Sequence, residues 1–384
     1  MEDFINFWVN GVCTCVVVFC GIFLNSVSIY VIGKKYEKSN IFYQMLLRLL
    51  CIDICVLVTW FNLSLYLAFK LQNKIIVEMF PYLSYPLTHI AISASTFMTI
   101  AIAHERYMAV KYPLKFAEDM KIPSVVKRRL RVYMLIVIMV SVTLNLTYFL
   151  ELQVNYVTFS TNNTNMDLYD KDNVTAAFTN NITKYTNETS FEFNYTKIET
   201  EMTIGYTEFG KHPYYLFYYK IYVRLIVSGI VPFSLLIYFN SSIYNAIMKN
   251  NRLRRRLTLS QPLSRVVSVQ SGTESTTTTS GLLVTTNRTD EDSLSMAFVA
   301  IVSVFLFCNV LKFALNFYDG ICGEVGASGW SRIGGYFSNL LIVLNSSMNM
   351  VIYCIMNSKF KRHLMATIKK LLPSMKRYND PVNI

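Results

Sequence analysis

The chain of 384 residues is 53% apolar and only 16% charged, and it carries a formal net charge of +12. A soluble domain of this composition would have to bury more apolar surface than a chain of this length encloses, which excludes an ordinary soluble enzyme or binding domain. The basic residues are concentrated in short segments between apolar runs. This pattern indicates membrane topology rather than nucleic-acid binding.

Seven apolar segments are long enough to cross about 30 Å of hydrocarbon as helices. A helix in lipid satisfies its backbone hydrogen bonds internally. The seven segments therefore predict an all-α membrane protein, a seven-transmembrane helix bundle. Span six is the weakest, since Lys312 and Asn316 interrupt its outer half. Spans one to seven are residues 10–33, 42–69, 80–110, 130–152, 213–248, 294–318 and 331–356.

The orientation of the bundle follows from its basic residues, most of which lie in the loops after spans one, three and five and in the tail. The positive-inside rule makes these segments cytoplasmic. We therefore predict a multi-pass plasma-membrane protein whose N-terminus, residues 1–9, is extracellular and whose span one serves as an uncleaved anchor. Residues 249–293 are then the third intracellular loop, and residues 357–384 follow span seven on the cytoplasmic side.

The second outer loop, residues 153–212, is polar and acidic and is predicted to be partly disordered. It contains repeated N-x-S/T sequons, whose glycosylation requires the lumenal side and so agrees with the orientation. Chance is an open alternative, because a segment rich in asparagine and threonine generates sequons freely. The predicted glycosylation sites are Asn162, Asn173, Asn181, Asn187 and Asn194.

Span three ends with the charged pair Glu105 and Arg106 followed by Tyr107. Charged residues inside an apolar run indicate a functional site by default. We expect an ion pair between Glu105 and Arg106, with the arginine able to reach a cytoplasmic partner. The alternative is a pair that serves only to lower the cost of inserting the span.

This triplet at the inner end of the third of seven spans resembles the rhodopsin-like class of G-protein-coupled receptors. Asn25 of span one, Asp53 of span two and Pro232 of span five are similar to residues of that class. The run Asn349-Met350-Val351-Ile352-Tyr353 resembles the NPxxY motif with methionine for proline. The basic amphipathic stretch 358–372, which contains Phe360 and Leu364, resembles the eighth helix of the class.

A narrower resemblance comes from the segment Asn145-Leu146-Thr147-Tyr148-Phe149-Leu150-Glu151. It is similar to the NLPRFFE segment of invertebrate FMRFamide-type neuropeptide receptors. The runs Tyr85-Pro86-Leu87 and Phe305-Leu306-Phe307-Cys308-Asn309 point to the same group. The resemblance implies an extracellular peptide ligand, ending in an amidated aromatic residue, a heterotrimeric G protein as intracellular partner, and arrestin as a second one.

The resemblance also implies two sets of functional residues. One is a G-protein switch, which ligand binding would shift toward the coupled state. The other is a polar pocket for sodium and water that favours the inactive state, with polar residues acting only as interhelical contacts as the alternative. The switch residues are Glu105, Arg106, Tyr107, Asn240, Asn349 and Tyr353, and the sodium pocket residues are Asn25, Asp53, Ser95, Asn345, Ser346 and Asn349.

Several positions depart from the pattern of the class. Asn240 replaces the usual tyrosine of span five, and Cys308-Asn309-Val310-Leu311 lacks both the tryptophan and the proline of the CWxP motif. Pro81 stands where the class has a disulfide cysteine, and the loop 153–212 contains no cysteine, so the usual disulfide is missing as a unit. We predict instead that Cys322 pairs with Cys13 or Cys15.

Polar residues in the outer halves of the spans are candidates for a ligand pocket. Arg224 and Lys312 could accept a carboxylate, sulfate or peptide carbonyl, whereas Glu151 and Asp319 could bind a ligand arginine. Pairing of these bases with these acids, without a ligand, is an equal alternative. Thr88 and Val343 occupy the positions at which monoamine and light receptors carry charged residues, which excludes both ligands by resemblance. The candidates are Thr88, His89, Glu151, Lys220, Arg224, Asn309, Lys312, Asn316 and Asp319.

No enzyme is predicted, because the histidines are scattered without metal-ligand spacing and no nucleotide-binding or nucleophile motif is present. No cofactor is expected beyond a sodium ion. A membrane transporter or channel is the main rival, opposed by the odd number of spans and by the charge pattern. A divergent receptor with weak or absent G-protein coupling is the alternative within the fold, motivated by the altered motifs of spans six and seven.

Overall fold

The computed structural model describes residues 1–35, 41–71, 73–163, 195–259, 278–322, 329–356, 360–362 and 364–366. Long helices dominate these residues, and one two-stranded antiparallel sheet joins them. The architecture confirms the predicted all-α membrane helix bundle.

Spans one and three are continued by short helical segments at their outer ends. Before the α-helix of span one, Thr14–Lys35, come an α-helical turn at Glu2–Ile5 and a π-helix at Asn6–Cys13. Span two is the helix Ile41–Leu67. Span three consists of Lys74–Met79, a π-helical turn at Phe80–Ser84 and Tyr85–Lys111. Pro81 and Pro86 lack amide hydrogens, which interrupts the α-helical bonding around this turn.

The remaining spans follow the predicted order. A short helix at Pro113–Met120 lies in the second inner loop, and span four is Pro123–Asn145 with a 3-10 turn at Leu146–Leu150. After a helical turn at Glu208–Lys211, span five begins with π-helices at Tyr215–Val223 and Leu225–Ile230 and continues as Val231–Leu259. Span six is Thr278–Cys322, and span seven is Gly329–Met356.

Six helices of the described part are long and apolar enough to cross a membrane. They are Glu2–Lys34, Ile41–Leu67, Lys74–Lys111, Pro123–Leu150, Leu225–Lys249 and Met296–Tyr318. Span seven is not among these six, although Gly329–Met356 is helical and packs against spans one, two and six. The membrane-length helix of span five begins at Leu225, and the π-helix Tyr215–Val223 precedes it. The start at residue 213 stays a prediction.

The largest apolar core takes residues from all seven spans and includes Met45, Leu50, Met98 and Phe298, all inaccessible to solvent. Phe360 and Leu364 are buried in the same core. Residues 360–362 and 364–366 are helical, and residues four apart share one helix face, which agrees with an amphipathic eighth helix. The rest of the predicted stretch 358–372 lies outside the described residues.

The ends of the second outer loop pair as a hairpin. Strand β1, Leu152–Asn163, runs antiparallel to strand β2, Tyr195–Tyr206, with Leu152 opposite Tyr206. Polar composition predicted partial disorder, but threonine, tyrosine and valine at these ends also favour strands. Residues 164–194, with the sequons at Asn173, Asn181, Asn187 and Asn194, lie outside the described residues, whereas Asn162 is in β1.

Apolar contacts hold the base of the hairpin against spans two and three. Leu152 of β1 is buried with Leu63 of span two and Phe80 of span three. Tyr85 and Ile204 pack around this cluster. The structure therefore docks the loop on spans two and three through side-chain packing next to Pro81.

The predicted disulfide is wrong for this structure, because Cys13 and Cys15 are both free thiols. Cys13 is exposed on the first helix rather than directed into the bundle. Cys322 is the last residue of the helix of span six, and its side chain lies outside the described part.

Candidate functional site

The polar centre of the bundle is Asp53 of span two, which is fully buried. The Ser95 hydroxyl of span three donates a 2.7 Å hydrogen bond to Asp53 Oδ1. Asn349 Nδ2 of span seven donates a 2.6 Å hydrogen bond to Asp53 Oδ2. A buried carboxylate without such donors is costly, so this residue requires spans two, three and seven to meet here.

Two more predicted pocket residues join this centre. Ser346 of span seven is buried and is a further hydrogen-bonding neighbour of Asp53, and its backbone carbonyl accepts a 2.9 Å hydrogen bond from Asn25 Nδ2. The other amide atom, Asn25 Oδ1, is buried without a described hydrogen-bond partner. Asn345 is only half-buried and takes no part in these contacts. The structure therefore brings together five of the six residues.

The oxygen atoms of the polar centre suit a small hard cation such as sodium as ligands. The polar centre offers a carboxylate, the hydroxyls of Ser95 and Ser346, and the unsatisfied carbonyl oxygen of Asn25, which are the oxygen ligands that such cations prefer. Asp53 would supply the balancing negative charge. A bound cation would compete with the Ser95 and Asn349 hydrogen bonds for the same carboxylate.

At the inner end of span three, Glu105 is 1% exposed and is held by span four. The Tyr133 hydroxyl donates a 2.7 Å hydrogen bond to Glu105 Oε2. Arg129 Nη1 lies 3.4 Å from Glu105 Oε1, at ion-pair distance but without hydrogen-bond geometry. The same Arg129 nitrogen lies 3.9 Å from Asp119 of the second inner loop.

Arg106 is directed differently from Glu105. Its guanidinium carbon lies 3.5 Å from the ring centroid of Phe42 in span two, and the side chain is buried. The predicted ion pair between Glu105 and Arg106 is wrong for this structure, in which these two described side chains form no salt bridge with each other. Consecutive residues of a helix point about 100° apart and do not face each other, so each finds its partner on a different neighbouring helix.

The remaining switch residues lie around span five. Tyr107 Oη is 3.3 Å from Tyr238 Oη and accepts a 2.6 Å hydrogen bond from Lys111. Asn240 Nδ2 contacts span six instead, 3.2 Å from Ser303 Oγ and 3.4 Å from the Val299 carbonyl oxygen. The side chain of Tyr353 lies outside the described residues, and Asn349 belongs to the polar centre.

An aromatic cluster occupies the outer part of the bundle. The His89 ring stacks on Tyr148, with centroids 4.0 Å apart and planes inclined by 7°. Tyr85 meets both rings edge-on, at 4.8 Å from His89 and 5.1 Å from Tyr148. The guanidinium carbon of Arg224 lies 4.7 Å from the Tyr148 ring centroid, a cation–π arrangement. Spans three, four and five therefore converge on Tyr148.

Charged candidates for ligand binding border this cluster. Glu151 is fully buried and accepts a 3.1 Å hydrogen bond from the Tyr215 hydroxyl. Its negative charge acts on Arg224, and Arg224 in turn repels Lys312 of span six. Two cations and one anion share this interior region, so the predicted set of Glu151, Arg224 and Lys312 is brought together with His89.

The other candidates for the ligand pocket make no described contact with this cluster. Thr88 is buried, but its hydroxyl donates to the Ser84 carbonyl of its own helix at 2.6 Å. Asn309 Nδ2 likewise donates to the Phe305 carbonyl at 2.8 Å, and Asn316 is exposed. The side chains of Lys220 and Asp319 lie outside the described part.

Sequence reasoning missed Arg129 and Tyr133 at the inner end and Tyr85 and Tyr215 at the outer end. The sequence spacing could have indicated the first two, because they are four residues apart and so share one face of span four. In the sequence, Arg129 is only one of the basic residues that indicate the orientation of the bundle. Tyr85 and Tyr215 carry no charge and resemble ordinary aromatic residues at a membrane interface.

No family model matches the chain. It is 26% identical over 373 residues to an FMRFamide receptor of Drosophila melanogaster, an alignment that covers 93% of the chain and 53% of that relative. It is 24% identical over 377 residues to the FMRFamide peptide receptor frpr-18 of Caenorhabditis elegans, covering 92% of the chain and 68% of the relative.

The chain thus spans about half the length of the Drosophila relative and about two thirds of the nematode one. Both alignments nevertheless include nearly the whole chain and therefore its helix bundle. The chain is accordingly similar to invertebrate FMRFamide receptors over nearly its whole length, which confirms the resemblance predicted from its motifs.

Proposed function

We propose that this protein is a G-protein-coupled receptor of the plasma membrane for an FMRFamide-like neuropeptide. The observation that carries the proposal is span three itself. This one helix contributes His89 to the aromatic cluster, Ser95 to the polar centre and Glu105 and Arg106 to the inner end. The similarity to FMRFamide receptors supports the choice of ligand class.

Span three offers a short physical route between the two faces. Ser95 and Arg106 are eleven residues apart, or about 16 Å along the helix axis. Peptide binding at the aromatic cluster would favour the arrangement in which Arg106 leaves the Phe42 ring and meets a G protein. Asp53 links spans two, three and seven, so a change in one span alters the contacts of the other two.

The outer region suits the chemistry of an amidated aromatic peptide. Tyr85, His89 and Tyr148 offer ring faces and edges for an aromatic side chain. Lys312 and Arg224 offer donors for the carbonyl of a terminal amide. Glu151 already accepts from Tyr215 and lies close to Arg224, so the ligand-arginine role proposed for it has less support than a role in orienting Arg224.

Sodium at the polar centre and arrestin at the third inner loop, residues 249–293, complete the proposed set of partners. Sodium bound by Asp53, Ser95 and Ser346 would favour the resting arrangement, because it would hold spans two, three and seven together. The N-terminus and the sequon-bearing loop 153–212 would face the outside.

A receptor with weak coupling is the second candidate, and one observation favours it. Span six is one continuous α-helix from Thr278 to Cys322, with Leu311 in place of the kinking proline. A straight helix lacks the hinge that a proline provides. Movement of its inner half would require the whole helix to shift and the Asn240 contacts to Val299 and Ser303 to break.

The proposal is tested by measuring G-protein nucleotide exchange in cells that express the chain and receive a panel of amidated FMRFamide-like peptides. Arg106→Ala is the loss-of-function variant, and Arg128→Ala, a change at an exposed basic residue of the same inner face, is the matched control. We expect a peptide response in the wild type and in Arg128→Ala that is lost in Arg106→Ala at equal surface delivery. Silence of the wild type at good surface delivery would contradict the proposal.

A further inference from the structure

Three side chains at the cytoplasmic end form a continuous chain of hydrogen bonds between spans three and four. His104 Nδ1 lies 2.9 Å from the Tyr133 hydroxyl, and this hydroxyl lies 2.7 Å from Glu105 Oε2. His104 and Glu105 are consecutive in span three, so both ends of the chain start from one turn of that helix. Tyr133 closes it from span four.

The direction of these bonds follows from the available protons. The Tyr133 hydroxyl has a single proton, which it donates to Glu105 Oε2. The Tyr133 oxygen then accepts, and His104 Nδ1 must carry the proton that it donates. The hydrogen bond from His104 thereby holds the Tyr133 hydroxyl in the orientation in which its proton points to Glu105.

Arg129 reinforces this arrangement from one turn earlier on span four. It lies at ion-pair distance from Glu105 and, at 3.9 Å, from Asp119 of the second inner loop. Its guanidinium carbon also lies 5.9 Å from the Phe116 ring centroid. Among the described contacts to Glu105, that of Tyr133 alone has hydrogen-bond geometry, so Tyr133 is the residue that defines the carboxylate position.

We propose that Tyr133 is a positioning residue of the switch, acting with Arg129 and supported by His104. By holding Glu105 against span four, it keeps the inner end of span three, and with it Arg106 on Phe42, in the resting arrangement. Loss of this contact would raise ligand-independent signalling. The inference rests on the proposed G-protein function, but it assigns the restraint to span four rather than to a pair within the Glu105-Arg106-Tyr107 triplet.

The test compares ligand-independent nucleotide exchange of Tyr133→Phe with that of Tyr244→Phe, a matched change at an exposed tyrosine of the inner part of span five. Phenylalanine keeps the ring of Tyr133 and removes only the donor. We expect basal exchange to rise about fivefold in Tyr133→Phe, the ratio expected from one hydrogen bond. Tyr244→Phe should equal the wild type.

A double-mutant cycle with Glu105→Met separates this role from general loosening of the fold. If Tyr133 acts through Glu105, Tyr133→Phe causes no further rise in basal exchange in the Glu105→Met background, and the unfolding midpoints show the same non-additivity. His104→Asn, which retains a donor, should preserve low basal exchange, whereas His104→Leu should raise it.

Two results would overturn the inference: wild-type basal exchange in Tyr133→Phe, or additive effects of the two substitutions on exchange. If the proposed function is wrong, the result is different: the wild type shows no nucleotide exchange in response to any of the peptides tested. In that case the cycle of unfolding midpoints still decides whether Tyr133 positions Glu105, because additive midpoints refute the contact and coupled midpoints support it.

Discussion

Asn349 and Asp53, which are 296 positions apart in sequence, meet in a 2.6 Å hydrogen bond at the centre of the bundle. Asp53 is fully buried, and its other oxygen accepts from Ser95. This contact ties span seven to span two. It explains why these polar residues occur in segments that are otherwise apolar.

Replacing Asn349 with leucine should therefore lower the stability of the folded receptor. The substitution leaves one oxygen of a buried carboxylate without its donor, which costs about 1–3 kcal/mol. The unfolding midpoint of the purified receptor in detergent measures the effect. Asn345→Leu is the matched control, since Asn345 is half-buried and outside these contacts, and an equal loss in both variants would argue against the assigned role.

Sodium should stabilise the wild-type receptor relative to choline at equal ionic strength. A cation that binds the folded state raises the unfolding midpoint, and the charge of Asp53 is required for it to bind. We expect the difference between the two salts to disappear in Asp53→Asn. A salt difference that survives this substitution would place the sodium effect elsewhere.

The outer aromatic cluster predicts a graded response at Tyr148. Tyr148→Phe keeps the ring that stacks on His89 and lies under Arg224, so peptide potency should change little. Tyr148→Leu removes the ring and should reduce potency about thirtyfold, because the aromatic and the cation–π contact contribute about 1 kcal/mol each. Concentration–response curves for the active peptide measure both, and Tyr156→Leu, at an exposed residue of β1, controls for the loss of a tyrosine.

The base of the hairpin predicts that packing replaces the missing disulfide. Leu152→Ala removes buried contacts with Leu63 and Phe80 and should loosen the hairpin at a cost of about 2 kcal/mol. Hydrogen exchange of the β1 amides should speed up in this variant and not in Val157→Ala, which alters a more exposed residue of the same strand. Unchanged exchange in Leu152→Ala would mean that the hairpin is held by other contacts.

The glycosylation pattern tests the orientation of the bundle. Glycans are expected on Asn162, Asn173, Asn181, Asn187 and Asn194, and none on Asn287 in the third inner loop. Mass spectrometry of glycopeptides from cell-surface receptor distinguishes the two sides. A glycan on Asn287 would invert the proposed topology.

Much of the fold could be predicted from the sequence because lipid requires long apolar helices, and the order of the spans was clear from hydropathy. The polar centre could also be predicted, since Asp53, Ser95 and Asn349 are conspicuous in apolar helices and must satisfy one another. The span bounds in the bilayer and the seven-span count stay predictions, because six helices of the described part meet the requirements for crossing.

The contacts that side chains at the helix ends make with neighbouring helices could not be predicted in the same way. Glu105 and Arg106 are adjacent in sequence, but the rotation of the helix directs Glu105 to span four and Arg106 to span two. Which tyrosine or basic residue meets each side chain depends on helix rotation and tilt, which hydropathy does not report. Likewise, the absence of cysteines from the loop does not indicate how the loop is held, because the contact of Leu152 with Phe80 depends on packing in three dimensions.

In the proposed receptor, one bundle couples a peptide site outside to a G-protein site inside, and coupling of this kind is reciprocal. It can be measured as the affinity of a labelled active peptide in membranes with and without nucleotide-free G protein, for the wild type and for Arg106→Ala. We expect G protein to raise the affinity of the wild type and to leave that of the variant unchanged. Equal peptide affinity with and without G protein in the wild type would contradict this coupling.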